Sequence, residues 1–120
     1  MNWRTETRTM DLATGAVSVW LQTPRLLEAP NWHSDGHLIV DGDGRLCRLD
    51  ANSTLAPIDT GPLDRLNNDH GLSPNGCLLA VADSSADGAS ALYVLPAEGG
   101  QPRRVTPATP SPWRAGPNVR

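Results

Sequence analysis

The sequence predicts an all-β fold assembled from repeated antiparallel sheets, and three observations carry that prediction. The chain holds 11 Gly and 11 Pro in 120 residues, and each of these either loosens or blocks a helix interior. Apolar and polar residues alternate over short runs, as in Arg45-Leu46-Cys47-Arg48-Leu49-Asp50, which is the period of a strand. A segment around Gly36 recurs around Gly76, a shift of 40 residues, and self-similarity at such a period marks a repeat architecture.

The elements follow in chain order. Thr5 to Leu12 and Val17 to Gln22 read as two strands joined through Thr14-Gly15. Trp32-His33-Ser34-Asp35-Gly36-His37-Leu38-Ile39-Val40 is an apolar residue, a Gly turn and an apolar strand; Leu72-Ser73-Pro74-Asn75-Gly76-Cys77-Leu78-Leu79-Ala80-Val81 repeats it. Arg45 to Asp50 answers to Ala91 to Pro96, and Leu55 to Asp59 to Pro102 to Thr106. Asp35-Gly36, Asn75-Gly76 and Asp43-Gly44 supply the positive φ that tight hairpins require. Four short strands in roughly 40 residues describe one blade of a β-propeller. Residues 5–22 are then the last two strands of a blade, 26–60 one blade, 66–106 the next, and 109–114 the first strand of an incomplete one. The repeat breaks off after Trp113, so the expectation is a partial propeller. Its end faces lack a covering sheet, which predicts self-association, since repeat arrays need about three units for stability.

Trp32-His33-Ser34-Asp35-Gly36 and Leu72-Ser73-Pro74-Asn75-Gly76 resemble the W-S-P-D-G core of TolB-type WD-like repeats. Glu98-Gly99-Gly100, followed by Pro102-Arg103-Arg104-Val105-Thr106, resembles the closing strand of that repeat. Glu28-Ala29-Pro30-Asn31-Trp32 and Asn67-Asn68-Asp69-His70-Gly71 are similar, in order and spacing, to segments of bacterial TolB-like proteins. The resemblance implies a six-bladed propeller, of which this chain supplies under half. It departs from the pattern where His33 replaces the usual Ser and Ser34 the usual Pro.

Composition excludes several classes of partner. The net charge is −3, and all ten basic residues are Arg against thirteen acidic ones. No basic run exceeds Arg103-Arg104, so no phosphate-tracking surface for nucleic acid is expected. No apolar stretch is long enough for a membrane-spanning helix. The residues after Met1 lack the apolar core of a secretory signal, so a cytoplasmic location is expected, or a periplasmic one only if the N-terminus is incomplete. Cys47 and Cys77 stand 30 residues apart without metal-ligand spacing and read as reduced, half-buried strand residues.

The polar run Asn67-Asn68-Asp69-His70 precedes the first strand of a blade, and such strands line the channel of a propeller. Glu28 and Asn31 lie in the aligned segment one blade earlier, so the six together form a candidate polar ring at one channel mouth. The competing reading makes the Asn and Asp residues loop caps, with His70 hydrogen-bonded to them. One His without a second ligand at a diagnostic spacing predicts no metal site, and no cofactor is expected. Asp41-Gly42-Asp43-Gly44 lacks the later ligands of a calcium loop and reads as a hairpin turn. Ser73 sits in a G-x-S-x-x-G run whose second Gly falls one residue late for a nucleophile elbow, so it too is structural. Asn52-Ser53-Thr54 reads as a polar turn. Trp20, Trp32 and Trp113 read as interblade core rather than a ligand-stacking surface, and Leu26-Leu27 as core strand residues. The functional expectation is a non-enzymatic binding or scaffold module with a protein or small-molecule ligand. The alternatives are part of a propeller enzyme (a metal-dependent lyase acting on acidic sugars, or a peptidase-associated propeller) or a truncated product without independent function.

Overall fold

The computed structural model describes residues 3–86 and 88–106. Among them lie ten strands and no helix: β1 (Thr5–Met10), β2 (Val17–Thr23), β3 (Glu28–Trp32), β4 (Leu38–Gly42), β5 (Arg45–Leu49), β6 (Leu55–Pro57), β7 (Leu66–Leu72), β8 (Leu78–Asp83), β9 (Ala91–Pro96) and β10 (Arg103–Arg104). β1 and β2 form a hairpin. β3 to β6 and β7 to β10 form two four-stranded sheets, each a meander in sequence order, and every pairing is antiparallel. The all-β class predicted from the sequence is the class observed. The strand expected at 109–114 falls outside the described residues.

The two-residue period of a strand decides which neighbour each side chain meets. All five residues of β4 are buried, because this strand is covered on both faces. Leu38 and Val40, opposite Leu49 and Cys47, pack with Trp20 and Leu27. Ile39 points the other way and joins Leu46, Leu79, Val81, Tyr93 and Leu95. The first sheet is thus the middle layer between the N-terminal hairpin and the second sheet.

Among the described residues, the second sheet is covered on one face only. Leu79, Val81 and Asp83 are buried toward the first sheet, while Leu78 and Ala80 point outward and are exposed. Leu92 and Pro96 share the outward face with them. Leu78, Leu92 and Val105 remain 46, 48 and 52% exposed, which leaves an apolar surface of the kind a further blade covers.

Several sequence readings are corrected. Asp41 and Gly42 belong to β4, and the turn is Asp43-Gly44, whose φ values of 56° and 75° are those of a type I′ hairpin. Leu26 and Leu27 precede β3 instead of lying in a strand, and Leu26 is exposed while Leu27 is buried. Trp20 is core, whereas Trp32 at 60% exposure only edges it, with centroids 5.5 Å apart and planes at 87°; the tail containing Trp113 is outside the described residues. Cys47 is buried in β5, but Cys77 is exposed in the turn before β8, and both thiols are free.

Adjacent leucines on opposite faces test this layering. Leu79→Ala is expected to destabilise the chain by roughly 2–5 kcal/mol in denaturant unfolding, and Leu78→Ala by less than about 0.5 kcal/mol. Equal losses at the two positions would contradict the face assignment.

Candidate functional site

β3 and β7 are the edge strands that meet across the seam between the two sheets. Both are bulged near their starts. Glu28 pairs with Asp41 but Asn31 with Ile39, one extra residue in β3. Leu66 pairs with Asp83 but His70 with Val81, two extra in β7. Ala29 sits in the first bulge at φ 55°, a conformation non-glycine residues seldom adopt. Bulges of this kind re-aim side chains at sheet edges.

Of the six residues singled out from sequence, the fold brings two, one from each sheet, into side-chain contact across the seam. His70 Nδ1 and Asn31 Oδ1 lie 2.5 Å apart, and because an amide oxygen only accepts, the imidazole donates. Asn31 lies opposite Ile39 and His70 opposite Val81, so both face the seam. His70 is half-buried, and its Nε2 is buried without a hydrogen-bond partner among the described residues. Burial lowers its pKa, against an opposing effect of Asp69. Asn67 Oδ1 accepts the Asp69 N–H at 2.8 Å, closing a local turn, and Glu28, Asn67, Asn68 and Asp69 are exposed.

The sequence reading missed Asp41. As the cross-strand partner of Glu28 it brings a second carboxyl to the same end of the sheet. It is 6% exposed, and Oδ1 has no hydrogen-bond partner among the described residues. Burial, then Glu28, then Asp43 raise its pKa from the ordinary 3.8 to about 6.

A cleft of about 370 Å³ opens at the other end of these strands. It lies between the β3–β4 and β7–β8 turns and is lined in part by His33, Asp35, His37, Arg48 and Cys77. His33 spans the seam, its Nε2 at 2.8 Å from the Gly76 carbonyl, and its Nδ1 accepts the Asp35 N–H at 3.0 Å. The rings of His33 and His37 stack at 4.3 Å and 15°. His37 is 6% exposed, and its Nδ1 is buried with no hydrogen-bond partner among the described residues. Burial lowers its pKa, with Arg48 and His33 adding to the shift. Two His astride one turn with an Asp between them was the available signal in the sequence. Ser73, in the matching turn, accepts the Leu78 N–H at 3.0 Å and donates to Asn75 Oδ1 at 2.8 Å.

No family model matches the chain. It is similar to an uncharacterized protein of Agrobacterium fabrum, 42% identical over 113 residues that cover 92% of this chain and 39% of the relative. It is also similar to a solved structure from Agrobacterium tumefaciens described as a "putative TolB", with TM-score 0.78 and 39% identity over 90% of this chain and 41% of that one. The chain therefore spans less than half the length of both.

The charges around Asp41 give a pH-dependent prediction. Its carboxyl faces Glu28 on β3 and Asp43 in the turn, and Asp43 itself lies 4.0 Å from Arg25. With a raised pKa the folded state binds the extra proton, so stability falls as pH rises from about 4 to about 6 and stays lower above. A rise from 3.8 to about 6 corresponds to an upper bound of roughly 3 kcal/mol. Asp41→Asn is therefore expected to stabilise the chain at pH 7.5 and to leave its stability nearly unchanged at pH 4, measured by urea unfolding. Equal stability of the two proteins at pH 7.5 would remove the argument.

Proposed function

Taking the chain as part of a TolB-like β-propeller, which its fold and sequence match in part, we propose that it is a non-enzymatic binding module. It contributes to a polar channel mouth that takes a protein or a small polar ligand. The observation that carries this reading is the Asn31–His70 hydrogen bond across the seam. It holds the two edge strands in register directly beside the exposed Asn67, Asn68 and Asp69. Those three present amide and carboxylate groups to solvent, and Glu28 adds a fourth polar group on the neighbouring strand. Convergent polar groups on a rigid scaffold suit recognition through hydrogen bonds.

A screen of small amide- and hydroxyl-bearing fragments by ¹⁵N–¹H NMR checks this. Backbone shifts concentrated on residues 67–70 and 28–31 are expected, and their loss in Asn68→Ala. A screen without shifts there counts against the mouth. Metal analysis of purified protein separates the binding reading from the lyase one: a stoichiometric metal that disappears in His70→Ala would favour the enzyme.

The 120-residue chain by itself also self-associates in this reading, through the outward face of the second sheet that carries Leu78, Leu92 and Val105. Light scattering coupled to size exclusion is expected to give a dimer or larger species, shifted toward monomer by Leu92→Asp. A stable monomer of the parent chain at tens of micromolar would sink this part of the proposal.

A further inference from the structure

We propose that His33, Asp35 and His37 form a binding site for a divalent transition-metal ion, with zinc as the reference case, at the β3–β4 turn. This site is separate from the channel mouth and does not rest on the reading of that mouth. One ligand atom from each of the three side chains lies within 4.8 Å of the others. A tetrahedral ion with ligands at about 2.0–2.1 Å draws adjacent donors to about 3.4 Å, so the cluster has to tighten by up to about 1.4 Å. Asp35, which is exposed and whose Oδ2 stands 3.7 Å from His33 Nδ1, supplies part of that movement, and the stacked rings of His33 and His37, at 4.3 Å and 15°, have to turn out of parallel to bring both lone pairs onto one ion.

The ring nitrogens are already assigned in a way that suits a metal. A carbonyl oxygen only accepts, so the 2.8 Å contact to Gly76 puts the proton of a neutral His33 on Nε2. Its Nδ1 then carries the lone pair, now directed at the Asp35 N–H. Metal-bound His residues typically donate their other ring N–H to a backbone carbonyl or a carboxylate in this manner. His37 supplies the second, independent observation. It is more than nine-tenths buried and lines the cleft, and its Nδ1 has no hydrogen-bond partner. A buried polar atom left unpaired is costly, and coordination to an ion is one way to satisfy it. Two imidazoles and a carboxylate suit Zn(II), Co(II), Ni(II) and Cu(II) more than calcium or magnesium. Three protein ligands leave a fourth position for water or a ligand from the adjoining cleft. Arg48, which lines the same cleft, is held by Asp50 at 2.8 Å.

The test is calorimetric titration of the full 120-residue chain with Zn(II), paired with Co(II) absorption spectra. One equivalent of Zn(II) is expected to bind at micromolar or lower concentration, and Co(II) to give the visible bands of a low-coordinate nitrogen and oxygen site. Asp35→Asn, an exposed conservative change, is expected to weaken Zn(II) at least tenfold with the circular dichroism spectrum unchanged. His37→Gln is expected to abolish binding. Because His37 is buried and its replacement disturbs the packing around it, Asp35→Asn with the Co(II) spectrum decides the matter alone. No binding at 100 µM Zn(II), or binding that survives Asp35→Asn undiminished, or binding that is lost in Cys77→Ser instead, would overturn the proposal.

Discussion

A thin sheet with apolar side chains on both faces has to be covered twice, and that requirement governs the whole chain. β4 carries it most plainly, since Leu38 and Val40 need one neighbour while Ile39 needs another. The β1–β2 hairpin answers the first need and the second sheet the second. A shift of one residue in the pairing of β4 would exchange the two sets and mismatch each against the layer it packs on. The type I′ turn at Asp43-Gly44 prevents that slip by fixing the register of β4 against β5.

The seam between the two sheets has an apolar middle and polar fastenings at its margins. Asn31 meets His70 near one end of the edge strands, and His33 meets the Gly76 carbonyl near the other. Backbone bonds from Gly100 to Asp59 and from Leu66 to Gly44 close it elsewhere, at 2.9 and 3.1 Å. Hydrogen bonds of this kind contribute about 1 kcal/mol each, less than the buried leucines, so their larger effect is on alignment. Two buried aspartates show the contrast between structural and strained groups. Asp83 accepts N–H bonds from Arg65 and Ser85 at 2.9 and 2.7 Å, whereas Asp41 keeps one oxygen without a partner beside another carboxylate.

The sheets were legible in the sequence because each rests on local signals: strand alternation, and Asp-Gly or Asn-Gly at the turns. The direction of each strand residue was harder to read. Trp32 sits at a repeat position that suggests core, yet it lies at the end of an edge strand and stays 60% exposed. Cys77 falls in the turn one residue before β8 begins and is exposed there. The contact between Asn31 and His70 joins residues 39 apart in a repeat of 40, because unequal bulges in β3 and β7 shift their registers differently. The sequence shows the repeat but not the bulges. Likewise the His33-Asp35-His37 spacing is visible in the turn, but the stacking of the rings and the carbonyl holding one of them come from the next sheet.

The edge-on contact of Trp20 and Trp32 has an optical consequence. The two indoles belong to different layers, one on the hairpin and one on the first sheet. At 5.5 Å and 87° their electronic transitions couple, which generates a pair of oppositely signed bands in the far-ultraviolet circular dichroism. Among the described residues they are the one indole pair in ring contact. The chain therefore carries its own spectroscopic ruler for the joint between hairpin and blade. Peeling of the hairpin can be followed by it while the sheet beneath stays folded.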